Sequence, residues 1–171
     1  MKYFLYSLFI LCIFIACGKE SSTEPAPAPS VPSISFSPDT CRIAVGARGE
    51  LALILNLQTF KAFGVSMRIK YLPSLASFND TTGFVLPEEL EQGTVTFIKA
   101  NSNTIHLAIS LLQGLEEQSG LLPLGILEMT GLAKGMGYLE IDPDELYFYD
   151  KDGAILSIPD LVIKNSVVVV Q

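Results

Sequence analysis

The sequence has few of the residues on which catalytic and metal centres usually depend. It contains no tryptophan, one histidine and three cysteines among 171 residues, and only 17% of its residues are charged. A single histidine cannot supply the several nitrogen or sulfur ligands of a zinc site. A catalytic triad would need His106 beside a nucleophile and an orienting acid, and the chain has no Gly-x-Ser-x-Gly elbow around a serine. The sequence therefore predicts that the protein is not an enzyme.

Long helical patterns are also absent, because no segment repeats apolar residues with a sustained period of 3.6. Two consecutive segments instead alternate apolar and polar residues one for one. The apolar positions are Leu51, Leu53, Leu55 and Leu57 in the first segment, and Phe63, Val65, Met67, Ile69 and Tyr71 in the second. A period of two places successive side chains on opposite faces of a strand. We therefore predict two strands, each with one buried face, which the connector 58–62 joins as an antiparallel pair.

The remaining sequence is a series of short strand patterns separated by turn signals. The further strands are predicted at 42–45, 94–99, 104–110, 121–130, 147–149 and 167–170. A hairpin turn is expected at 100–103, and the nearly continuous apolar run at 121–130 predicts a strand covered on both faces. The valine-rich end is expected inside a sheet, beside the first strand. Together these patterns predict an all-β, two-sheet β-sandwich of about nine strands over residues 34–171.

The N-terminal residues have the organisation of an export signal. Lys2 precedes the apolar run 3–16, which is too short to span a bilayer as a helix, and Cys17 follows a small residue. This arrangement resembles the lipobox of bacterial lipoproteins, in which the cysteine is lipidated and becomes the new N-terminus. The resemblance implies a signal peptide at 1–16, and a lipid anchor with a flexible Pro/Ser/Ala linker at 17–33. The alternative is an ordinary secretory signal with a chance cysteine.

A lipid anchor on Cys17 would hold the domain on the cell membrane or outer membrane, outside the cytoplasm. Lys2 is the only charged residue before Cys17, so the processed chain is more acidic than the full chain, whose formal net charge is −7. Nucleic acid requires a basic face and is not an expected partner. If Cys12 is removed with the signal and Cys17 is lipidated, Cys41 has no partner for an internal disulfide. Cys41 is two residues before Ile43 and therefore on the same face of the predicted strand, which predicts a small buried side chain.

From residue 40 onward, the order of the strand patterns resembles that of cohesin domains. Residues 65–75 are similar to the family's alternating strand ending in Tyr-Asp-Pro-x-x-Leu, with Leu72 in place of the aspartate. Residues 120–129 are similar to the family's Gly-x-Leu-x-x-Ile strand, and 135–141 are followed by an acidic stretch and a valine-rich end, as in the family. The resemblance implies a flattened jelly roll of nine strands that recognises a dockerin-like module of a partner protein.

In cohesins the dockerin-binding surface is one sheet face, built largely from the third, fifth, sixth and eighth strands. The resemblance implies that the outward side chains of the matching strands form the partner-binding face here. These are Gly64, Ser66, Arg68 and Lys70 on the third strand, Thr94, Thr96 and Ile98 on the fifth, His106 and Ala108 on the sixth, and Tyr138 and Glu140 on the eighth. Gly64 and Ser66 stand where the family often has an amide and a carboxylate.

Two other functions stay open on the sequence. Jelly-roll modules that bind sugars stack them on exposed aromatic rings, and Tyr147 and Tyr149 share one face of a predicted strand, with Phe148 pointing into the core. A carbohydrate-binding module that takes part in polysaccharide binding or breakdown is therefore an alternative. A structural subunit of an envelope assembly, without a small ligand, is a third hypothesis.

No cofactor is predicted. The candidate for a calcium site is the turn at Asp150 and Asp152, within an acidic set that also contains Asp142, Asp144 and Glu145. The alternative is a solvated turn in which an aspartate bonds its own backbone.

Overall fold

The computed structural model of the chain describes residues 31–171. These residues form mostly strands, with one turn of α-helix, α1 (Glu88–Glu91), and one turn of 3₁₀-helix (Pro143–Glu145). The predicted signal peptide, the predicted lipidation site Cys17 and most of the predicted linker lie outside the described residues. Within the described part, no helix has the length and apolar character needed to cross a membrane.

The described residues form fourteen strands. In chain order they are β1 (Ser33–Ser37), β2 (Thr40–Ile43), β3 (Arg48–Asn56), β4 (Gly64–Lys70), β5 (Ala76–Phe78), β6 (Phe84–Val85), β7 (Thr94–Asn101), β8 (Thr104–Leu111), β9 (Leu121–Gly131), β10 (Gly135–Ile141), β11 (Tyr147–Tyr149), β12 (Ile155–Leu156), β13 (Val162–Lys164) and β14 (Ser166–Val170).

The strands are arranged in two sheets. In the first sheet the order is β13-β1-β3-β9-β5, and β6 also pairs with β9. In the second sheet, one edge of β4 pairs along its whole length with β8, which in turn pairs with β7. Two branches share the other edge of β4: β11 and β12 continue the sheet beside 64–66, whereas β10, β14 and β2 continue it beside 69–70.

The core lies between the two sheets because alternate residues of each sheet point toward the other. The leucines of β3 and the side chains of Val65, Met67 and Ile69 on β4 are buried in one apolar cluster. Cys41 on β2 is buried in the same cluster, as the sequence predicted, and burial raises the pKa of its thiol. The alternation in the sequence thus identifies the inner face of each of these strands correctly.

This architecture confirms the predicted all-β, two-sheet β-sandwich. Nine of the strands have four or more residues, which matches the predicted number, and the other five have only two or three. The predicted hairpin between β7 and β8 is present, with Asn101 paired to Thr104 at its turn. The valine-rich strand β14 lies between β10 and β2, as predicted for a strand inside a sheet.

Two predictions about the strands are wrong. The strands β3 and β4 are not an antiparallel pair, because they lie in different sheets and the connector between them crosses from one sheet to the other. Their apolar faces oppose each other across the core instead of lying side by side. The strand β9 is covered on one face only, since Leu121 and Ile126 on its other face are 60% and 37% exposed.

Candidate docking face

The outer face of the second sheet brings together most of the residues that the sequence singled out. Residues directly opposite one another in antiparallel strands point to the same side of a sheet, and β4, β8 and β7 are paired in continuous register. The pairing of β11 with β4 adds two tyrosines to this side. The candidate docking face comprises the outward residues Gly64, Ser66, Arg68, Lys70, Val95, Phe97, Lys99, Asn101, Thr104, His106, Ala108, Ser110, Tyr147 and Tyr149.

Most of the predicted partner-binding residues lie on this face or at its margin. The predicted residues of β4 and β8 are on it: Gly64, Ser66, Arg68, Lys70, His106 and Ala108. On β10, Glu140 is opposite Lys70, and Tyr138 points to the same side farther from β4, where it is 55% exposed. Their role in binding a partner stays a prediction.

The predicted residues of β7 point the other way and must be corrected. Thr94, Thr96 and Ile98 are paired with the inward residues of β8, so their side chains lie on the core side of the sheet. The hydroxyl of Thr94 donates a hydrogen bond to the carbonyl oxygen of Leu90 at 2.7 Å. The hydroxyl of Thr96 is buried without a hydrogen bond to any of the described residues. These three residues therefore do not belong to the candidate docking face.

Two of the four outward residues of β7 are apolar, and neither was among the residues predicted from the sequence. Val95 and Phe97 are 57% and 60% exposed, and Ala108 on β8 lies opposite Phe97. The predicted hairpin could have given the orientation of β7. Its turn at 100–103 places Ala100 opposite Ile105, which points inward, so the even-numbered residues of β7 point inward and the odd-numbered residues point outward. An apolar patch of Val95, Phe97 and Ala108 thus occupies one edge of the face.

An ion-pair network occupies the opposite edge. The Nζ of Lys70 lies 2.9 Å from Oδ2 of Asp142, and the guanidinium of Arg68 lies 3.0 Å from Oε1 of Glu145 and 3.9 Å from Oδ2 of Asp142. The hydrogen bond from Lys70, the backbone N–H of Asp144 and the two nearby cations lower the pKa of Asp142 despite its burial. The charges of Arg68 and Lys70 are therefore balanced within the chain.

Hydroxyl groups on β4 and β11 lie beside the network, on the strands of the face farthest from the patch. The hydroxyl of Tyr149 is 3.1 Å from Oγ of Ser66, and the hydroxyl of Tyr147 donates to the carbonyl oxygen of Asp144 at 2.8 Å. Phe148 between them is buried, so the prediction that the tyrosines share the outer face is correct. These hydrogen bonds fix the rings of Tyr147 and Tyr149 against the sheet.

The single histidine lies in the middle of the face. His106 is directly opposite Arg68 on β4 and Lys99 on β7, and the Nζ of Lys99 is 3.0 Å from Oδ2 of Asp80. The imidazole is thus flanked by two cationic side chains on an open strand surface. The prediction that it has no catalytic role stays a prediction.

The acidic turn at Asp150 is closed by hydrogen bonds to its own backbone. Oδ1 of Asp150 accepts hydrogen bonds from the backbone N–H groups of Asp152 and Ala154 at 2.9 and 2.8 Å. Among residues 31–171, no group of three or more His, Cys, Asp or Glu side chains is placed to hold a metal ion. The turn therefore fits the alternative in which Asp150 bonds its own backbone.

The sequence matches no protein-family model and no curated protein. The structure, in contrast, is similar to many solved cohesin domains. A non-cellulosomal cohesin from the hyperthermophilic archaeon Archaeoglobus fulgidus aligns with a TM-score of 0.62 at 14% identity, over 83% of this chain and 92% of that one. A type II cohesin domain from the cellulosome of Acetivibrio cellulolyticus aligns with a TM-score of 0.61 at 14% identity, over 81% and 95%.

The similarity extends to a cohesin solved with a partner. The cohesin of the Coh-OlpC–Doc435 complex, a type I cohesin–dockerin complex from Clostridium thermocellum, aligns with a TM-score of 0.63 at 11% identity, over 84% of this chain and 96% of that one. These identities are low, so the comparison concerns the fold. The described domain has the cohesin fold, as the strand order in the sequence predicted.

Proposed function

We propose that the protein is a cohesin-like binding module that docks onto a dockerin-like partner protein through the candidate docking face. The observation that carries the proposal is the pair of aromatic and aliphatic side chains on β7: Val95 and Phe97 are more than half exposed on a flat sheet surface. Exposed apolar patches with a polar surround are typical of protein-interaction surfaces. The complex of a similar cohesin with a dockerin supports a partner of this kind.

The distribution of charge indicates which residues supply the binding energy. Arg68 and Lys70 already have carboxylate partners within the chain, so a partner gains little from them unless it displaces Asp142 or Glu145. Phe97 has no such competing interaction for its exposed area and is the better anchor. We therefore assign the central contact to the apolar patch, and orientation of the partner to the surrounding polar residues.

The experiment is capture of dockerin-bearing proteins by the immobilised domain from an extract of the source cells. The matched variants are Phe97→Ala and Leu121→Ala, because both side chains are 60% exposed but Leu121 lies on the first sheet. We expect the wild-type domain and Leu121→Ala to retain the same dockerin-bearing protein, and Phe97→Ala to lose it. Failure of the wild-type domain to retain any dockerin-bearing protein, or equal retention by both variants, would contradict the proposal.

The carbohydrate alternative has one observation in its favour, the two tyrosines on the same face. Their rings are half-buried, and their hydroxyls are bonded to Ser66 and to the backbone of Asp144, which leaves less of each ring open to a sugar. Binding of a glycan by the wild-type domain, with loss of that binding in Tyr147→Ala, would favour this alternative. An absence of glycan binding across an array would remove it.

We further propose that the module is tethered outside the cytoplasm through an acylated Cys17, with the residues that follow acting as a spacer. The support is the sequence alone: a short apolar run, a small residue and the cysteine occur together at the right place. Growth with a labelled fatty acid should label the wild-type protein, and Cys17→Ala should abolish the label and release the protein from the membrane fraction. Labelling of the Cys17→Ala protein would contradict the anchor.

A further inference from the structure

An apolar cavity opens between the two sheets at the end where the chain crosses from β3 to β4. Its volume is about 400 Å³, within the range of about 300–1,000 Å³ typical of small-molecule sites. Its floor is made of buried core residues, including Leu55, Leu57 and Leu124. The segment that connects the first sheet to the second also lines the cavity, through Leu90 in α1 and Pro87 just before it.

The polar groups in the lining are few, and two of the three polar side chains are already bonded. The hydroxyl of Thr94 donates to the carbonyl oxygen of Leu90 at 2.7 Å, and Nε2 of Gln118 donates to the carbonyl oxygen of Glu116 at 2.9 Å. Of the described residues that line the cavity, Glu89 alone is charged. A ligand therefore meets aliphatic walls and one exposed carboxylate.

The surroundings of the cavity are mainly acidic, although Lys61 precedes the lining residue Ala62. The helix α1 carries exposed Glu88 and Glu91 beside Glu89, and the loop that contributes Gln118 also carries two glutamates, Glu116 and Glu117. A carboxylate-ended ligand such as a fatty acid would be repelled here, whereas a positively charged end would be attracted. The charge and the lining together define one class of ligand.

We propose that this cavity binds a small aliphatic molecule that ends in a positively charged group. At about 30 Å³ for each water-sized unit, about 400 Å³ holds about thirteen such units, so the cavity has room for a chain of up to roughly twelve carbons. The chain lies on the leucine floor, and the charged end lies near Glu89. The site uses the space between the sheets and shares only Gly64 with the candidate docking face, so it does not depend on the proposed docking function.

The experiment is a titration of the folded domain with decyltrimethylammonium, decanoate and 1-decanol, each below the concentration at which it aggregates. Binding is followed by the methyl NMR signals of the cavity residues Leu55, Leu57, Leu122 and Leu124. We expect saturable shifts confined to the cavity methyls, with the cation binding at least about tenfold more tightly than decanoate. Glu89→Gln should weaken binding of the cation roughly threefold and leave binding of 1-decanol unchanged.

A filled cavity supplies the second test. Leu111→Trp places a larger side chain at the cavity wall, and Ala62→Leu does so from another wall, so that one variant remains if the other does not fold. Leu72→Trp is the control, because Leu72 is 48% exposed just beyond the opposite end of β4. We expect the cavity variants to lose binding of decyltrimethylammonium, and the control to keep it.

The outcomes separate this proposal from the docking function. Shifts spread over the surface without saturation, decanoate binding as tightly as the cation, or full binding by a folded cavity variant would each overturn the proposal. Capture of a dockerin-bearing protein by the same cavity variants measures the docking function independently, since neither substituted residue belongs to the candidate docking face.

Discussion

The orientation of β7 can be tested without any partner, by two identical substitutions at neighbouring inward positions. Thr94 and Thr96 both point to the core side of the second sheet, but their hydroxyls differ in hydrogen bonding. The hydroxyl of Thr94 donates to Leu90 at 2.7 Å, whereas that of Thr96 is buried with no partner among the residues that the structure describes. Replacing threonine by valine exchanges the hydroxyl for a methyl group of similar size, so the two changes should have opposite signs.

The magnitudes follow from the cost of burying a polar group. Thr96→Val removes an unsatisfied buried hydroxyl and should raise the free energy of unfolding by about 1 kcal/mol. Thr94→Val removes a hydrogen bond and leaves a carbonyl with one donor fewer, which should lower the free energy of unfolding by about 1 kcal/mol. For a domain of this size each change corresponds to a shift in Tm of about 2–4 °C.

The assay is urea and thermal unfolding of the wild-type domain and the two variants, with the m-value checked for constancy. We expect Thr96→Val to be more stable than the wild type and Thr94→Val to be less stable. If Thr96→Val has wild-type stability, the hydroxyl of Thr96 is in water, and β7 has the orientation predicted from the sequence. If both variants are destabilised, Thr96 has a hydrogen bond that the structure does not contain.

Three further predictions concern the face, the ion network and the packing of the first sheet. Phe97→Ala should weaken binding of a captured partner by about 3 kcal/mol, roughly a hundredfold, because about 120 Å² of aromatic surface is no longer buried against the partner. Isothermal titration calorimetry of the wild type and the variant measures this difference in affinity. Asp142, held by Lys70, has a pKa below its ordinary value of 3.8. Its contribution to stability is therefore fully present above 3.8 and is lost as the pH falls through the lowered pKa. When the free energy of unfolding is measured against pH, it should decrease less steeply at acidic pH in Asp142→Asn than in the wild type. Gly125→Ala would place a Cβ against the ring of Phe84 and 2.8 Å from the carbonyl oxygen of Val85, so it should cost about 1–3 kcal/mol in urea unfolding.

The sequence predicted which side chains are buried better than which strands are neighbours. The alternating leucines of β3 and the alternating residues of β4 are buried as expected. Alternation reports only that a strand has an inner face, and two such faces can lie side by side in one sheet or oppose each other across a core. The connector of five residues permits both arrangements, which is why the predicted antiparallel pair of β3 and β4 was wrong.

The candidate docking face was predicted in part, for a similar reason. On β4 and β8 the inner face is strongly apolar, so the outward positions of Arg68 and His106 followed directly. On β7 both faces carry apolar residues, and the residues carried over from the family resemblance were the inward ones. The partners of Arg68 and Lys70 come from a turn about seventy residues later in the chain, and a contact of that separation leaves no local pattern in the sequence.

The most direct test of the docking function is a titration of the ¹⁵N-labelled domain with the protein that it captures, followed by amide NMR shifts. We predict that the shifts cluster on the candidate docking face, with the largest changes at Val95, Phe97 and Ala108, and that Ala52 and Ile126 on the first sheet do not move. Shifts that cluster on the first sheet, or on the loops at either end of the sandwich, would contradict the assignment of this face.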